Sequence, residues 1–150
     1  MIALALAALV LLAPSEARPQ PAGPAARQVT IFGIVATPSS SKIDPKLKAI
    51  APQLRKLLPG HGFTLLDVQS KRLVAGQAVT CKLGKGFSAA TTLTEALDVN
   101  GKVQLRCEIL ENMTTQLATQ VATPPNQLFF CDKMLPSGSR LLIGIGARGE

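Results

Sequence analysis

The amino-acid sequence predicts an α+β fold that is mostly β, in which one amphipathic helix after the first strand packs on an antiparallel β meander or sandwich. A single stretch, residues 45–58, spaces its apolar residues as a helix does. Most of the later chain alternates apolar and polar residues with the period of a strand, and glycine, asparagine or proline turns separate these segments. The 150 residues are enough for one domain with its own core.

The start of the chain predicts export. Residues 2–13 form an apolar run that is too short to cross a bilayer comfortably, and Ser15-Glu16-Ala17 then places small residues at the two positions that a signal peptidase reads. We therefore expect a signal peptide over residues 1–17, a periplasmic or extracellular protein, and no membrane span after cleavage. Because no lysine or arginine precedes the apolar run, an uncleaved anchor and a start codon further upstream are alternatives.

A leader and one domain are predicted to follow. Residues 18–28 contain three prolines and one glycine, a composition that buries little apolar surface and predicts a flexible leader. A single α+β domain is then predicted over residues 29–150. It begins with Val29–Thr37, which is apolar on both faces and rich in β-branched residues, as expected of a buried central strand.

The helix is predicted to begin with Asp44 as its N-cap and Pro45 at its first position. Pro52 lies inside the helical pattern, where its missing N–H predicts a kink or a separate first turn, and Pro59-Gly60 ends the helix. The apolar residues fall within one arc of about 100°, so that one face packs on a sheet. These residues are Leu47, Ile50, Leu54, Leu57 and Leu58.

Seven further strands are predicted from alternation and turn signals. They cover residues 63–74, 78–83, 87–97, 102–110, 114–122, 127–134 and 139–148. The sequence LDVNGKVQL predicts a hairpin with a three-residue loop and a bulge at Gly101. That register places Asp98 opposite Lys102 and Leu93 opposite Cys107, so that side chains on one face share their burial.

The last strand contains the spacing G-x-G-x-x-G at residues 144–149, which dinucleotide-binding folds use. In those folds the glycines open a helix, whereas no helical pattern follows them in this sequence. Alternation explains the stretch as a strand, with Ile143 and Ile145 on one side and the first two glycines on the other. We expect a bulky side chain or another backbone to approach the glycine side closely.

The charge of the protein favours anionic partners. The formal net charge is +7 with 16 basic and 9 acidic residues, and loss of Glu16 with the signal peptide raises it to +8. Nucleic acid is excluded as a partner, because the chain has no tryptophan, no tyrosine and no dense basic run. The helix carries four basic residues and no acidic one between positions 45 and 58, which predicts binding to anionic lipid or glycan. These four are Lys46, Lys48, Arg55 and Lys56; the alternative is a face charged for solubility alone.

The sequence predicts no catalytic, cofactor or metal site. The one histidine, His61, lies in a glycine-flanked turn, a poor mount for a catalytic triad. No pair of carboxylates is marked by its spacing, so a hydrolase whose carboxylates converge only in the fold is an alternative. Three buried thiols are the favoured state of Cys81, Cys107 and Cys131, and if one bridge forms we expect it between Cys81 and Cys107, which both alternate with core residues.

The chain resembles a loosely defined group of uncharacterised secreted or periplasmic bacterial proteins. The shared motifs are DPKLK at residues 44–48, PQL at 52–54, FTLL at 63–66 and SGSRLLIG at 137–144. This resemblance implies export and a β-rich fold, but no activity. We therefore expect an exported, non-catalytic domain that binds or scaffolds an unknown envelope protein, an anionic lipid or a glycan. The alternatives are the hydrolase and a subunit of an envelope assembly.

Overall fold

The structure is a computed structural model that describes residues 25–149. Two antiparallel sheets of four strands pack together, and a helical segment of 13 residues covers part of one sheet. The predicted fold class, α+β and mostly β, is therefore confirmed. The predicted signal peptide over residues 1–17 and the leader up to residue 24 lie outside the described residues.

The elements follow one another along the chain with short connections. They are β1 (Ala26–Pro38), a 3-10 helix (Pro45–Ile50), α1 (Ala51–Leu57), β2 (His61–Val74), β3 (Ala78–Gly84), β4 (Phe87–Glu95), β5 (Val103–Glu111), β6 (Thr114–Thr123), β7 (Leu128–Met134) and β8 (Arg140–Ala147). Sheet I has the order β2-β1-β8-β7, and sheet II has the order β3-β4-β5-β6. Sheet II is a meander, and β1 lies inside sheet I as the sequence predicts.

Sheet I buries apolar side chains on both of its faces. Its inner face packs against sheet II in an inner core that includes Ile31 and Ile143. Its outer face packs under the helical segment in an outer core that includes Ile34 and Leu142. Neighbouring residues of β1 and of β8 thus belong to different cores, which explains why the middle of each strand is apolar on both faces.

The helical segment divides at the predicted proline. Asp44 is the N-cap, and its Oδ1 accepts a hydrogen bond from the Lys46 backbone N–H at 3.0 Å. A 3-10 helix then ends at Ile50, and α1 begins at Ala51 with Pro52 in its first turn. Proline has no N–H to donate to the preceding turn, so the regular helix starts again at this point. The predicted separate first turn is confirmed.

The first strand begins three residues before the predicted start of the domain. Ala26, Arg27 and Gln28 belong to β1, where Ala26 pairs with Val74 of β2. The Arg27 Nε also donates a hydrogen bond to the carbonyl oxygen of Ala96 at 3.0 Å. Because the last proline of the leader is at position 24, these three residues have the backbone N–H groups that a sheet ladder needs.

The hairpin between β4 and β5 has the predicted loop but not the predicted ladder. The Asp98 N–H donates to the Lys102 carbonyl at 2.8 Å, and Gly101 has a φ of 74°, as a three-residue loop requires. Beyond the loop, however, Leu93 pairs with Leu105 instead of Cys107. A register shift between Leu93 and Glu95 inserts one extra residue on the β4 side, and Leu93 is fully buried.

The glycines of β8 serve close packing, as the sequence predicts. Gly144 pairs with Phe130 of β7, and a Cβ atom on Gly144 would lie 2.8 Å from the Cε1 atom of that ring. A Cβ atom on Gly146 would lie 2.9 Å from both the Gln127 carbonyl oxygen and the Leu128 Cδ2 atom. The G-x-G-x-x-G spacing therefore belongs to a strand whose outer side is occupied by side chains of the neighbouring segment.

We predict that Gly144→Ala lowers the free energy of unfolding by about 1 kcal/mol, because the Phe130 ring must leave its place on the sheet. Phe130→Ala removes that ring, so Gly144→Ala should cost less in this background. Chemical denaturation of the two single variants and the double variant measures the coupling. Strictly additive costs would contradict the proposed ring-on-glycine contact.

Candidate functional site

The four basic residues predicted to bind anionic surfaces lie together on the helical segment over sheet I. The 3-10 helix carries Lys46 and Lys48, and α1 carries Arg55 and Lys56. All four are exposed, and within residues 25–149 none of them forms an ion pair or a side-chain hydrogen bond. We call these four side chains the basic face.

The backbone beneath the basic face is held firmly on sheet I. Leu47 and Leu54 are buried in the outer core, at 1% and 0% exposure. Ahead of the helix, the Asp44 N–H donates to the Phe63 carbonyl of β2 at 2.9 Å. The Asp44 carboxylate accepts from the backbone N–H groups of Lys46 and Leu65, at 3.0 and 3.2 Å, so the nearest acidic group in the sequence already has two partners.

Three clefts of the described surface could in principle hold a substrate, and a carboxylate-based hydrolase needs two carboxylates in one of them. One cleft, of about 320 Å³, lies at the end of sheet I and is lined by residues including Phe32, Leu128 and Arg148, with no acidic side chain. A cleft between α1 and β7 contains Asp132, which is paired with Arg140, and a third contains Glu111. Each of the three clefts therefore has at most one carboxylate.

Other carboxylates hold the backbone in place. Asp67 on β2 accepts from the Lys82 backbone N–H of β3 at 3.0 Å, and this bond is the main cause that lowers the pKa of Asp67. Asp98 accepts from the Lys102 backbone N–H at 3.0 Å and from Gln104 Nε2 at 2.6 Å, and its pKa is lowered for the same reason. These carboxylates are structural acceptors, one joining the two sheets and the other closing a hairpin.

The histidine lies apart from these groups. His61 is the first residue of β2, half-buried, and its Nδ1 lies 3.1 Å from the Pro59 carbonyl oxygen. Among residues 25–149, no group of three or more histidine, cysteine, aspartate or glutamate side chains is placed to hold a metal ion. The arrangement therefore gives no support to a triad or a metal-activated water.

The cysteines are arranged differently from the prediction. Cys81 is on β3 and Cys107 on β5, with β4 between them, so their Cα atoms are separated by about two strand spacings, or about 9.6 Å. A disulfide needs Cα atoms within about 7 Å, so this strand order does not favour the predicted Cys81–Cys107 bridge. Cys131 of β7 is the partner of Cys107 instead, with 3.3 Å between their Sγ atoms. Burial raises the pKa of Cys81 to about 12, so that thiol is unreactive at neutral pH.

The alternation of β7 alone does not show which way the Cys131 side chain points. The turn between β7 and β8 contains the missing information. The Leu135 N–H donates to the Ser139 carbonyl at 2.8 Å, which closes a three-residue loop over Pro136-Ser137-Gly138. Counting back from that loop pairs Cys131 with Ile143, a residue of the inner core. The loop rule applied to the β4–β5 hairpin would therefore have turned Cys131 inward.

One edge strand was not singled out by the sequence. β6 is the last strand of sheet II, and its ten residues, TTQLATQVAT, include no charged residue and no proline. The other edge strands each carry charge, with Asp67 and Lys71 on β2, Lys82 on β3, and Asp132 on β7. β6 thus lacks charge and proline, two of the features that usually prevent another strand from pairing with an edge, and its ladder with β5 is irregular only near Gln116.

Comparison with known proteins finds no matching family model, no matching curated protein and no matching solved structure. The resemblance to secreted and periplasmic proteins therefore stays a prediction. In the described part of the chain, no helix has both the length and the apolar character that a membrane span requires.

We predict that acid destabilises this protein through Asp67 and Asp98. Because folding lowers both pKa values, their stabilisation is fully present well above the unfolded-state pKa of about 3.9 and is lost as the pH falls through the lower folded-state values. The double variant Asp67→Asn, Asp98→Asn should be less stable at pH 7 and lose less stability between pH 5 and pH 3. Thermal unfolding across this range measures both effects.

Glu95→Gln is the control for this experiment, because the Glu95 side chain is exposed and its carboxylate has no hydrogen-bond partner among residues 25–149. It should keep the wild-type pH profile. An identical acid response in the double variant would show that other carboxylates govern acid unfolding.

Proposed function

We propose that this protein is an exported, non-catalytic binding module of the cell envelope, and that it contacts anionic surfaces through the basic face. The observation that carries the proposal is the exposure of Lys46, Lys48, Arg55 and Lys56 on one helical segment, with no ion-pair partner among residues 25–149.

The physical case for binding rests on charge that nothing nearby neutralises. A lysine or arginine close to an anionic surface contributes about 1 kcal/mol, and this attraction decays within a Debye length of about 8 Å at physiological salt. Four such side chains on a segment anchored by Leu47 and Leu54 are presented to the surface together. The shared ligand chemistry is a dense array of phosphates or carboxylates, as in anionic lipids and acidic glycans.

The enzyme alternative has less support. Glycoside hydrolysis, for example, needs two carboxylates facing one cleft, within about 10 Å of each other. Each of the three clefts described above has at most one carboxylate. Asp44, Asp67 and Asp98 are engaged with backbone N–H groups, which favours a binding role over acid–base chemistry.

The test is co-sedimentation of the protein with vesicles of phosphatidylglycerol at low and at high salt, beside vesicles of phosphatidylcholine. We expect binding to the anionic vesicles only, weakened at high salt. The variant Lys48→Glu, Arg55→Glu, Lys56→Glu should bind at least tenfold more weakly, because it loses three attractive charges and gains three repulsive ones. A parallel arm with an immobilised acidic glycan distinguishes the lipid from the glycan as the preferred surface.

The matched control changes the same charge elsewhere. Lys71→Glu, Lys85→Glu, Lys102→Glu alters three exposed lysines on β2 and on two turns, away from the helical segment. This control should retain most of the binding. Equal loss in both triple variants would mean that net charge alone drives adsorption, and equal binding by the helix variant would make the basic face a solubility feature.

A second candidate function is strand addition at β6, which the uncharged edge of sheet II favours. An extended peptide that pairs with an edge gains main-chain hydrogen bonds, and its side chains alternate between the two faces of the sheet. Since β6 offers threonine, glutamine and small apolar side chains but no countercharge, the fitting occupant is an uncharged, extended segment of another envelope protein.

We predict that a synthetic peptide with the sequence of β6 slows hydrogen exchange of the β6 amides. Thr119→Lys, which turns a lysine toward the half-buried side of the edge, should weaken this binding about tenfold. Thr80→Lys, on the exposed face of β3, should leave it unchanged. If sedimentation shows that the protein forms a dimer that Thr119→Lys abolishes, the occupant is a second copy of the chain.

A further inference from the structure

Two cysteines from opposite sheets meet in the inner core. Cys107 is on β5 of sheet II, and Cys131 is on β7 of sheet I. Their Sγ atoms are 3.3 Å apart, which is thiol contact without a bond. Cys107 is buried and Cys131 is half-buried, so one sulfur of the pair lies nearer to the surface.

We propose that Cys107 and Cys131 form a disulfide that cross-links the two sheets in an oxidising compartment. A sulfur–sulfur bond is about 2.05 Å long, so the sulfurs need to approach by about 1.2 Å. Small side-chain rotations supply a movement of that size. Cys81 cannot compete for Cys107, since β4 lies between their strands.

The bridge forms by thiol–disulfide exchange with an external disulfide, such as glutathione disulfide or a disulfide oxidoreductase. The Cys131 thiolate attacks the oxidant and forms a mixed disulfide, releasing one thiolate of the oxidant. The Cys107 thiolate then attacks Cys131 Sγ, and the second oxidant thiolate leaves. Two protein thiols are oxidised, the external disulfide is reduced to two thiols, and two protons pass from the cysteines to these products.

The environment of the pair fits this order of attack. A hydrogen bond from Cys107 lowers the pKa of Cys131, whereas the same contact and burial raise the pKa of Cys107. Cys131 is also the less buried of the two. The thiolate that meets the external oxidant first is therefore on β7, and its resolving partner is the deeper sulfur on β5.

The position of the bridge complements the covalent connections of the chain. On one side of the sandwich, β2 continues directly into β3 through a short turn, and Asp67 of β2 accepts from the Lys82 N–H. On the other side, sheets I and II are joined by the segment between β6 and β7. The Cys107–Cys131 bridge closes a loop that contains all of β6, so it ties together β5 and β7, the strands that precede and follow β6 in the chain.

The first experiment counts thiols in the full chain. The protein is reduced, refolded and exposed to glutathione disulfide. It is then alkylated in denaturant, so that the buried Cys81 also reacts, before mass measurement and peptide mapping. We expect one free thiol, at Cys81, and a linked peptide pair containing Cys107 and Cys131. Three free thiols after oxidation, or a bridge that includes Cys81, would overturn the proposal. The same count on protein exported by a bacterial host shows whether the bridge forms in the periplasm.

The second experiment measures thermal stability with and without reductant. Cys107 and Cys131 are 24 residues apart in the sequence. Closing a loop of this length should raise the Tm of the wild type by about 10 °C. Cys131→Ala should lose this dependence on reductant, while Cys81→Ala, which changes another inward-facing cysteine, should keep it. A reductant-dependent Tm that persists in Cys131→Ala, or a wild type without one, would contradict the bridge.

Discussion

The structure depends on the need to cover sheet I on both faces. Its two interior strands place fully buried side chains on each side, with Ile31 and Ile143 turned inward and Ile34 turned outward. Burying one such side chain stabilises the fold by about 1.5–3 kcal/mol, and a single covering layer would leave the apolar side chains of the other face in water. Sheet II covers the inner face and the helical segment covers part of the outer face. The basic face is on the surface because the apolar side of its helix closes the outer core.

Local sequence patterns predicted the helices and strands well, but not which strands pair with one another. The Asp44-Pro45 start and Pro52 located both parts of the helical segment, because capping and the missing N–H act within a few residues. The strand order of sheet I joins the two ends of the domain, and no local pattern records which distant strands pair. The register shift between Leu93 and Glu95 could not be predicted either. Pairing Leu93 with Cys107 or with Leu105 places apolar residues inward in both cases, and only the packing of the whole core distinguishes the two registers.

The same distinction governs what was foreseen of the candidate sites. Helical spacing predicted that Lys48 and Arg55 would be exposed, since this depends only on the arc that the apolar residues occupy. Alternation could not identify the cysteine that lies beside Cys107. It indicates which face of a sheet a side chain points to, but not how many strands separate two cysteines. The sequence shows that β6 has no charge, but only the strand order shows that β6 lies at the edge of sheet II.

The pairing of β1 with β8 has a consequence for how the protein is made. Val29 lies opposite Ala147, so the central ladder of sheet I joins residues separated by almost the whole domain. Such long-range pairing is slow, because the entropy of closing the loop is lost before the ladder forms. While β8 is still on the ribosome, β1 has only one of its two strand neighbours and the inner core lacks one wall. A nascent chain of this topology therefore cannot complete sheet I until β8 has left the ribosome, so its fold is finished only after synthesis of the domain ends.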